Sequence, residues 1–251
     1  MFWLICFFTF IFGAVIGSFL NVCIYRIPLK KSIVSPPSSC PGCGHRLSWI
    51  DLIPVISYLA LCGKCRQCGV SISYRYCLVE VLTGSIFMMA FLKFGLGTKF
   101  LTAIILASLM IVIAFIDIDH RIIPNRLVVF GLISGIIMGF LRPNAEIYFM
   151  FFGTLTGFGL MFLIALASRG QMGFGDVKLA AVMGVFLGWQ GVLLAIFLAF
   201  FTGAVYGVLL ILFKGQGRKT AVPFGPFLAC ATVASFLWAN QMISWYLKLV
   251  T

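Results

Sequence analysis

The chain has 251 residues, of which 62% are hydrophobic and 10% charged, and its mean hydropathy is +1.14. That balance excludes a soluble globular domain and predicts an all-α polytopic membrane protein. The net charge of +12 would suit nucleic acid if it were gathered on one face, but it is spread along the loops, so no nucleic-acid partner is expected.

Apolar runs at about 2–22, 77–92, 100–116, 127–141, 147–167, 179–189, 192–213 and 223–247 predict about eight transmembrane helices. The first run has no basic residue before it, and the first positive charge, Arg26, follows it. This predicts a retained helix that enters with its N-terminus outside rather than a cleaved signal peptide. With eight spans, the loops after the odd-numbered ones carry fourteen of the 18 Lys and Arg, among them Arg26, Lys30, Arg46, Lys64, Arg121, Arg169 and Lys214. The other side holds Lys93, Lys99, Arg142 and Lys248, and the asymmetry puts the first loop in the cytoplasm. The 179–189 run is short and flanked by glycine, and it is expected to tilt or to run into the next span near Gly188 and Gly191. The basic stretch 214–219 reads as a topology anchor. No internal repeat of fixed period is expected.

Residues 23–76 form the one sizeable soluble segment, with five of the nine prolines in it. About fifty residues build too little core to fold alone and need a metal, a disulfide or docking. Cys40-Pro-Gly-Cys43 and Cys65-Arg-Gln-Cys68, each followed by a glycine, predict a structural four-thiolate zinc site, because four sulfurs leave no open coordination position. A pair of disulfides is disfavoured on the cytoplasmic side, where thiols stay reduced. His45 reads as a neighbour of the site rather than a ligand, and Cys6, Cys23, Cys62, Cys77 and Cys230 as small apolar residues.

Six acidic residues are few, and three lie where apolar runs begin or end: Asp117 and Asp119 after the third run, and Asp176 in Gly173-Phe-Gly-Asp-Val-Lys178. A carboxylate at a membrane edge is costly and is a functional-site candidate. Two carboxyls a few ångströms apart share one proton, so one is able to activate water while the other polarises a carbonyl. Asp117 and Asp119, two residues apart on one helix, face apart, so the expected dyad is Asp117 with Asp176 and Asp119 is a solvated edge.

Five ordered blocks, GSFLNVCIYRIP (17–28), CPGC…CRQCGVSISYRY (40–76), FIDIDHRIIPN (115–125), GFGDVKL (173–179) and PFGPFLA (223–229), resemble the bacterial type IV prepilin peptidases along nearly the whole chain. Cys77 and Asn125 depart from the residues usual there, and neither is in the dyad. The resemblance implies 1–22 as transmembrane helix 1, 23–76 as a cytoplasmic zinc-binding loop domain and 77–251 as a transmembrane aspartyl peptidase domain of about seven helices. It puts the catalytic aspartates at Asp117 and Asp176 in a bacterial cytoplasmic (inner) membrane, with the active site at the cytoplasmic face. The implied activity removes the short leader of type IV prepilins or pseudopilins after glycine and N-methylates the new N-terminal residue from S-adenosyl-L-methionine. Prepilin substrates and membrane lipid are the implied partners. A cationic leader calls for a local acid, and Glu80 or Asp51 is the candidate. No Rossmann glycine fingerprint is present, and Asn21 and Arg26 are the weak candidates for holding the methyl donor. The competing reading is an ion- or proton-coupled transporter, which calls for inverted repeats and midplane carboxylates that the sequence does not display.

Overall fold

A computed structural model describes residues 1–142, 147–168, 172–214 and 222–250. Arg169 and the basic stretch after Lys214 lie outside the described residues. The elements are α1 (Phe2–Arg26), α2 (Ile56–Ala60), α3 (Arg75–Phe94), α4 (Thr98–His120), α5 (Asn125–Phe140), α6 (Ile147–Ala167), α7 (Phe174–Lys214) and α8 (Gly225–Val250). Six of them are long and apolar enough to cross a bilayer, and α5 is a shorter apolar helix of 16 residues. The chain is a multi-pass integral membrane protein, and its described residues form no strand.

The eight expected runs correspond to α1, α3, α4, α5, α6, two arms of α7, and α8. The sixth and seventh runs are joined rather than separated by a loop. At Gly188 the backbone leaves helical geometry, with φ 69 and ψ 179, so α7 is two helical arms that meet at a sharp kink, near the glycines where the sixth run was expected to tilt or run into the next. Only glycine enters that conformation without strain, and the Phe149 ring lies where any side chain at 188 would go.

The chain divides into two compact units, Met1–Phe100 and Leu101–Thr251. In the first, α1 packs on α3 through Gly13 and Gly17. A Cβ at Gly13 would meet the Gly84 backbone at 2.7 Å, and one at Gly17 the Glu80 backbone at 2.8 Å. In the second unit, Gly153 and Gly157 of α6 bring its backbone against Gly184 and Ala180 of α7. Lipid tails are as apolar as leucine, so helices in a bilayer gain by close backbone approach, and small residues four apart supply it. Arg142 Nη2 donates to the Phe186 carbonyl at 3.1 Å, two residues before the kink at Gly188.

Candidate active site and metal centre

The four cysteines sit on two turns of one shape. In the first, the Cys40 amide donates to the His45 carbonyl and the Gly44 amide to the Cys40 carbonyl, both at 2.9 Å. In the second, the Cys65 amide donates to Val70 and the Gly69 amide to Cys65. Gly44 and Gly69 have φ of +71 and +69, which glycine alone adopts freely. The short bridges Ser39–Arg46 and Lys64–Ser71 close the two turns at matching positions. The two knuckles are thus a duplicated turn displaced by twenty-five residues, a short internal repeat that the sequence analysis does not anticipate. Only Cys, Gly and Ser recur between the copies, so backbone form carries the likeness.

The ligand atoms of Cys40, Cys43, Cys65 and Cys68 lie within 4.8 Å of one another, and Cys40 Sγ is 3.7 Å from Cys68 Sγ. Zinc–thiolate bonds of about 2.3 Å place the sulfurs of a tetrahedron about 3.8 Å apart, so this donor set fits structural zinc. The amides of Cys43 and Gly42 bond the Cys40 sulfur and pull its thiol down to about 6. Cys68 goes the other way: the Val70 amide favours its thiolate, but desolvation and the thiols of Cys43, Cys65 and Cys40 push it up to about 12. Four crowded thiols resist ionising together, and a divalent cation removes that conflict. The His45 side chain is exposed and lies outside the four-sulfur cluster.

Asp117 occupies the last turn of α4 and is only 6% exposed, whereas Asp119 is exposed. The helix stops just beyond: the Arg121 amide donates to the Asp117 carbonyl and Arg121 turns left-handed, φ 54. Asp117 Oδ2 accepts the backbone N–H of Gly225, the first residue of α8, at 2.8 Å. A Cβ at Gly225 would lie 2.7 Å from that oxygen, so the bond requires glycine. Asp176 lies in the first turn of α7. Each carboxylate therefore meets the N-terminus of a helix, where unpaired amides and the dipole favour negative charge.

Ile123, in the turn between α4 and α5, packs on Gly175 and ties the end of α4 to the start of α7; a Cβ there would meet Ile123 Cβ at 3.2 Å. Among the described residues, a Cβ at Gly173 would meet the Asp176 carboxylate at 3.7 Å, and neither glycine is left-handed. The glycine before the aspartate thus serves close approach, not an unusual backbone. Lys178 Nζ donates to Asn125 Oδ1 at 3.0 Å, a second tie between α7 and the start of α5. Asp117 and Asp176 are near enough for their charges to act on each other. Gly225 and Ile123 are the site neighbours that residue-by-residue reading misses; the PFGP and HRIIPN blocks that contain them were the signal.

The two acids weighed for a cationic leader both have internal partners. Asp51 Oδ1 pairs with Arg66 Nε at 2.9 Å and its Oδ2 accepts from the Ser48 hydroxyl at 2.6 Å. Glu80 is buried and its Oε2 accepts the Val55 amide at 2.8 Å. Asn21 Nδ2 donates to the Tyr76 carbonyl at 3.1 Å, and Arg26 donates to the carbonyls of Ser32 and Pro36 at 3.0 and 2.7 Å. Asn21 thereby joins α1 to α3 and Arg26 folds back the chain after α1. These donors hold the protein's own backbone, an arrangement that does not fit a cradle for S-adenosyl-L-methionine.

Residues 11–94 match the bacterial peptidase A24 N-terminal domain, and residues 104–208 match the type IV leader peptidase family. The chain is 36% identical over 240 residues to a prepilin leader peptidase/N-methyltransferase of Bacillus subtilis, covering 96% of this chain and 97% of the relative. A protein of the same name from Pseudomonas aeruginosa is 32% identical over 268 residues, covering 96% and 92%. One from Myxococcus xanthus is 42% identical over 220 residues, covering 85% of this chain and 65% of its own length. No solved structure matches. The comparisons give no support to the transporter reading. With both halves of its length matched and relatives aligned nearly end to end, the chain belongs to the type IV leader peptidase family.

Proposed function

We propose that this protein is an aspartyl endopeptidase of the bacterial inner membrane that removes the leader of type IV prepilins or pseudopilins, and that it N-methylates the new N-terminus from S-adenosyl-L-methionine. The observation that carries the peptidase reading is the pairing of Asp117 and Asp176 at the end of α4 and the start of α7, near enough for their charges to interact. One carboxylate takes a proton from water while the other, protonated, donates to the scissile carbonyl oxygen. Water adds to the carbonyl carbon, and the amine leaves after receiving a proton from the dyad. With Asp117 Oδ2 held by the Gly225 amide, its other oxygen and Asp176 are left for water and substrate.

The bias of Lys and Arg supports a cytoplasmic position for the dyad, where a polar leader stays in water while its apolar helix enters from the bilayer. Methylation rests on the names of the relatives. When bound, S-adenosyl-L-methionine supplies the methyl group; the residues of this chain that would hold it are not among the occupied donors of Asn21 and Arg26. The four cysteines are the proposed ligands of a structural zinc. The test is processing of a prepilin by membranes bearing Asp117→Asn or Asp176→Asn. Each variant is expected to accumulate and to leave the prepilin uncleaved. Normal cleavage by either removes that residue from the dyad.

A further inference from the structure

The segment 49–61 lies in the soluble stretch between α1 and α3, yet Trp49 is 75% exposed and Ile56 and Leu59, three apart on α2, are each 65% exposed. Ile50 and Leu52 are exposed beside them. A water-soluble loop does not leave so much contiguous apolar surface uncovered without an interaction site. Its one charge, Asp51, is turned inward onto Ser48 and Arg66. The chain on either side of the segment is basic: Arg46 before it and Lys64 and Arg66 after it are exposed, as are Lys30 and Lys31 after α1.

A hydrogen bond ties this segment to α3. The Val55 amide, the residue before α2, donates to Glu80 Oε2 at 2.8 Å. Glu80 lies five residues into α3, about 7.5 Å along the helix from Arg75. Its backbone faces Gly17, nine residues before the end of α1, about 13 Å from Arg26. Side chains on a helix lean toward its N-terminus, so Val55 sits roughly one turn above the Glu80 Cα. The segment is thereby held alongside the first turns of α3, a helix long and apolar enough to cross a bilayer. Tyr25, next to the end of α1, and Tyr76 and Leu78, in the first turn of α3, are exposed as well.

We propose that residues 49–61 form an interfacial anchor that seats the zinc segment in the lipid headgroup layer. Trp49, Ile56 and Leu59 enter the boundary with the acyl chains, and the surrounding Lys and Arg meet anionic phosphates. Tryptophan favours that layer because its ring is apolar and its N–H is polar, and basic residues near an anionic surface add to the attraction. The pairing of Asp51 removes the one charge that would oppose it. Glu80 holds the segment against α3 through the Val55 amide. The inference rests on the geometry of this unit and not on the peptidase chemistry.

The experiment uses the full chain in nanodiscs containing phosphatidylglycerol. Photolysis with phospholipids bearing a diazirine next to the headgroup is expected to label the tryptic peptide between Arg46 and Lys64, and a diazirine at the acyl terminus to label it at least threefold less. Fluorescence of the wild-type protein less that of Trp49→Phe gives the Trp49 signal, which headgroup-proximal brominated lipids should quench more strongly than aqueous acrylamide does. A peptide left unlabelled while the helical peptides are labelled overturns the proposal. So does a Trp49 signal open to acrylamide in lipid alone and shielded only when a prepilin is added or when two copies share a disc, since the cover is then protein.

Discussion

The backbone amide of Gly225 donates to Asp117 Oδ2 across 2.8 Å, joining the first turn of α8 to the last turn of α4. A carboxylate in the last turn of a helix faces the negative end of its own dipole, and the start of α8 offsets this with an N–H of opposite polarity. The residue that presents that amide has to be glycine, because a methyl group would lie 2.7 Å from the oxygen it serves.

Gly225→Ala is therefore expected to turn the Asp117 carboxylate aside and to lower prepilin cleavage by at least about tenfold, the equivalent of about 1.4 kcal/mol in the barrier. Cleavage rates in membranes containing equal amounts of the two proteins give the answer. A rate within twofold of the original separates the amide from catalysis.

Asp119 tests the register of the α4 motif. It is exposed, whereas Asp117 two residues earlier is buried against α8. Asp119→Asn should keep most of the cleavage activity that Asp117→Asn abolishes. If Asp119→Asn is inactive and Asp117→Asn is active, the dyad has been assigned to the wrong residue of the pair.

Much of this was legible in the sequence because membrane segments and cysteine ligands follow strong local rules. Hydrophobic runs located every long helix to within a few residues, since a bilayer admits little else. Spacing and the following glycine identified the four cysteines. The kink in α7 was legible in part: the glycines led the sixth run to be expected to tilt or run into the next, and the backbone narrows the place to Gly188, where the two arms meet. The partner of Asp117 was hidden for another reason. Gly225 acts through its backbone, 108 residues away in sequence, and an amide leaves no side-chain signature. The internal partners of Glu80 and Asp51 were hidden too, because a charge count does not reveal that the Val55 amide or Arg66 holds a carboxylate.

Zinc should be present at about one ion per chain and be lost on Cys→Ser substitution at 40, 43, 65 or 68. Acid should release it as well, because thiolate ligands compete with protons. Asp51 offers an internal reference. Its hydroxyl partner Ser48 and then Arg66 hold its carboxyl below the ordinary 3.8. A group depressed in this way adds stability above its ordinary value and loses it as pH falls through the folded one. Metal release with a midpoint above about pH 4 therefore traces the thiolates rather than the Asp51–Arg66 pair. Elemental analysis across a pH series reads this directly, and active protein that holds no metal at neutral pH would end the zinc assignment.

The last prediction separates the two proposed activities. All four cysteines belong to the compact unit Met1–Phe100, and both aspartates to the unit Leu101–Thr251. Hydrolysis by two carboxylates needs no metal, since the pair supplies both acid and base. Methyl transfer needs a pocket for a charged, nucleotide-sized donor, which lipid-facing helices do not readily provide, and the segment that holds the four cysteines is the longest described stretch between two membrane-capable helices. Replacing both cysteines of one knuckle by serine is thus expected to lower N-methylation more than leader cleavage, by at least about fivefold. Asp117→Asn and Asp176→Asn, given a pilin already cleaved, should still methylate it. Mass spectrometry of the pilin N-terminus reports both outcomes in one sample. Equal loss of both activities in a knuckle variant that accumulates normally would instead make the zinc segment part of the surface that receives the substrate.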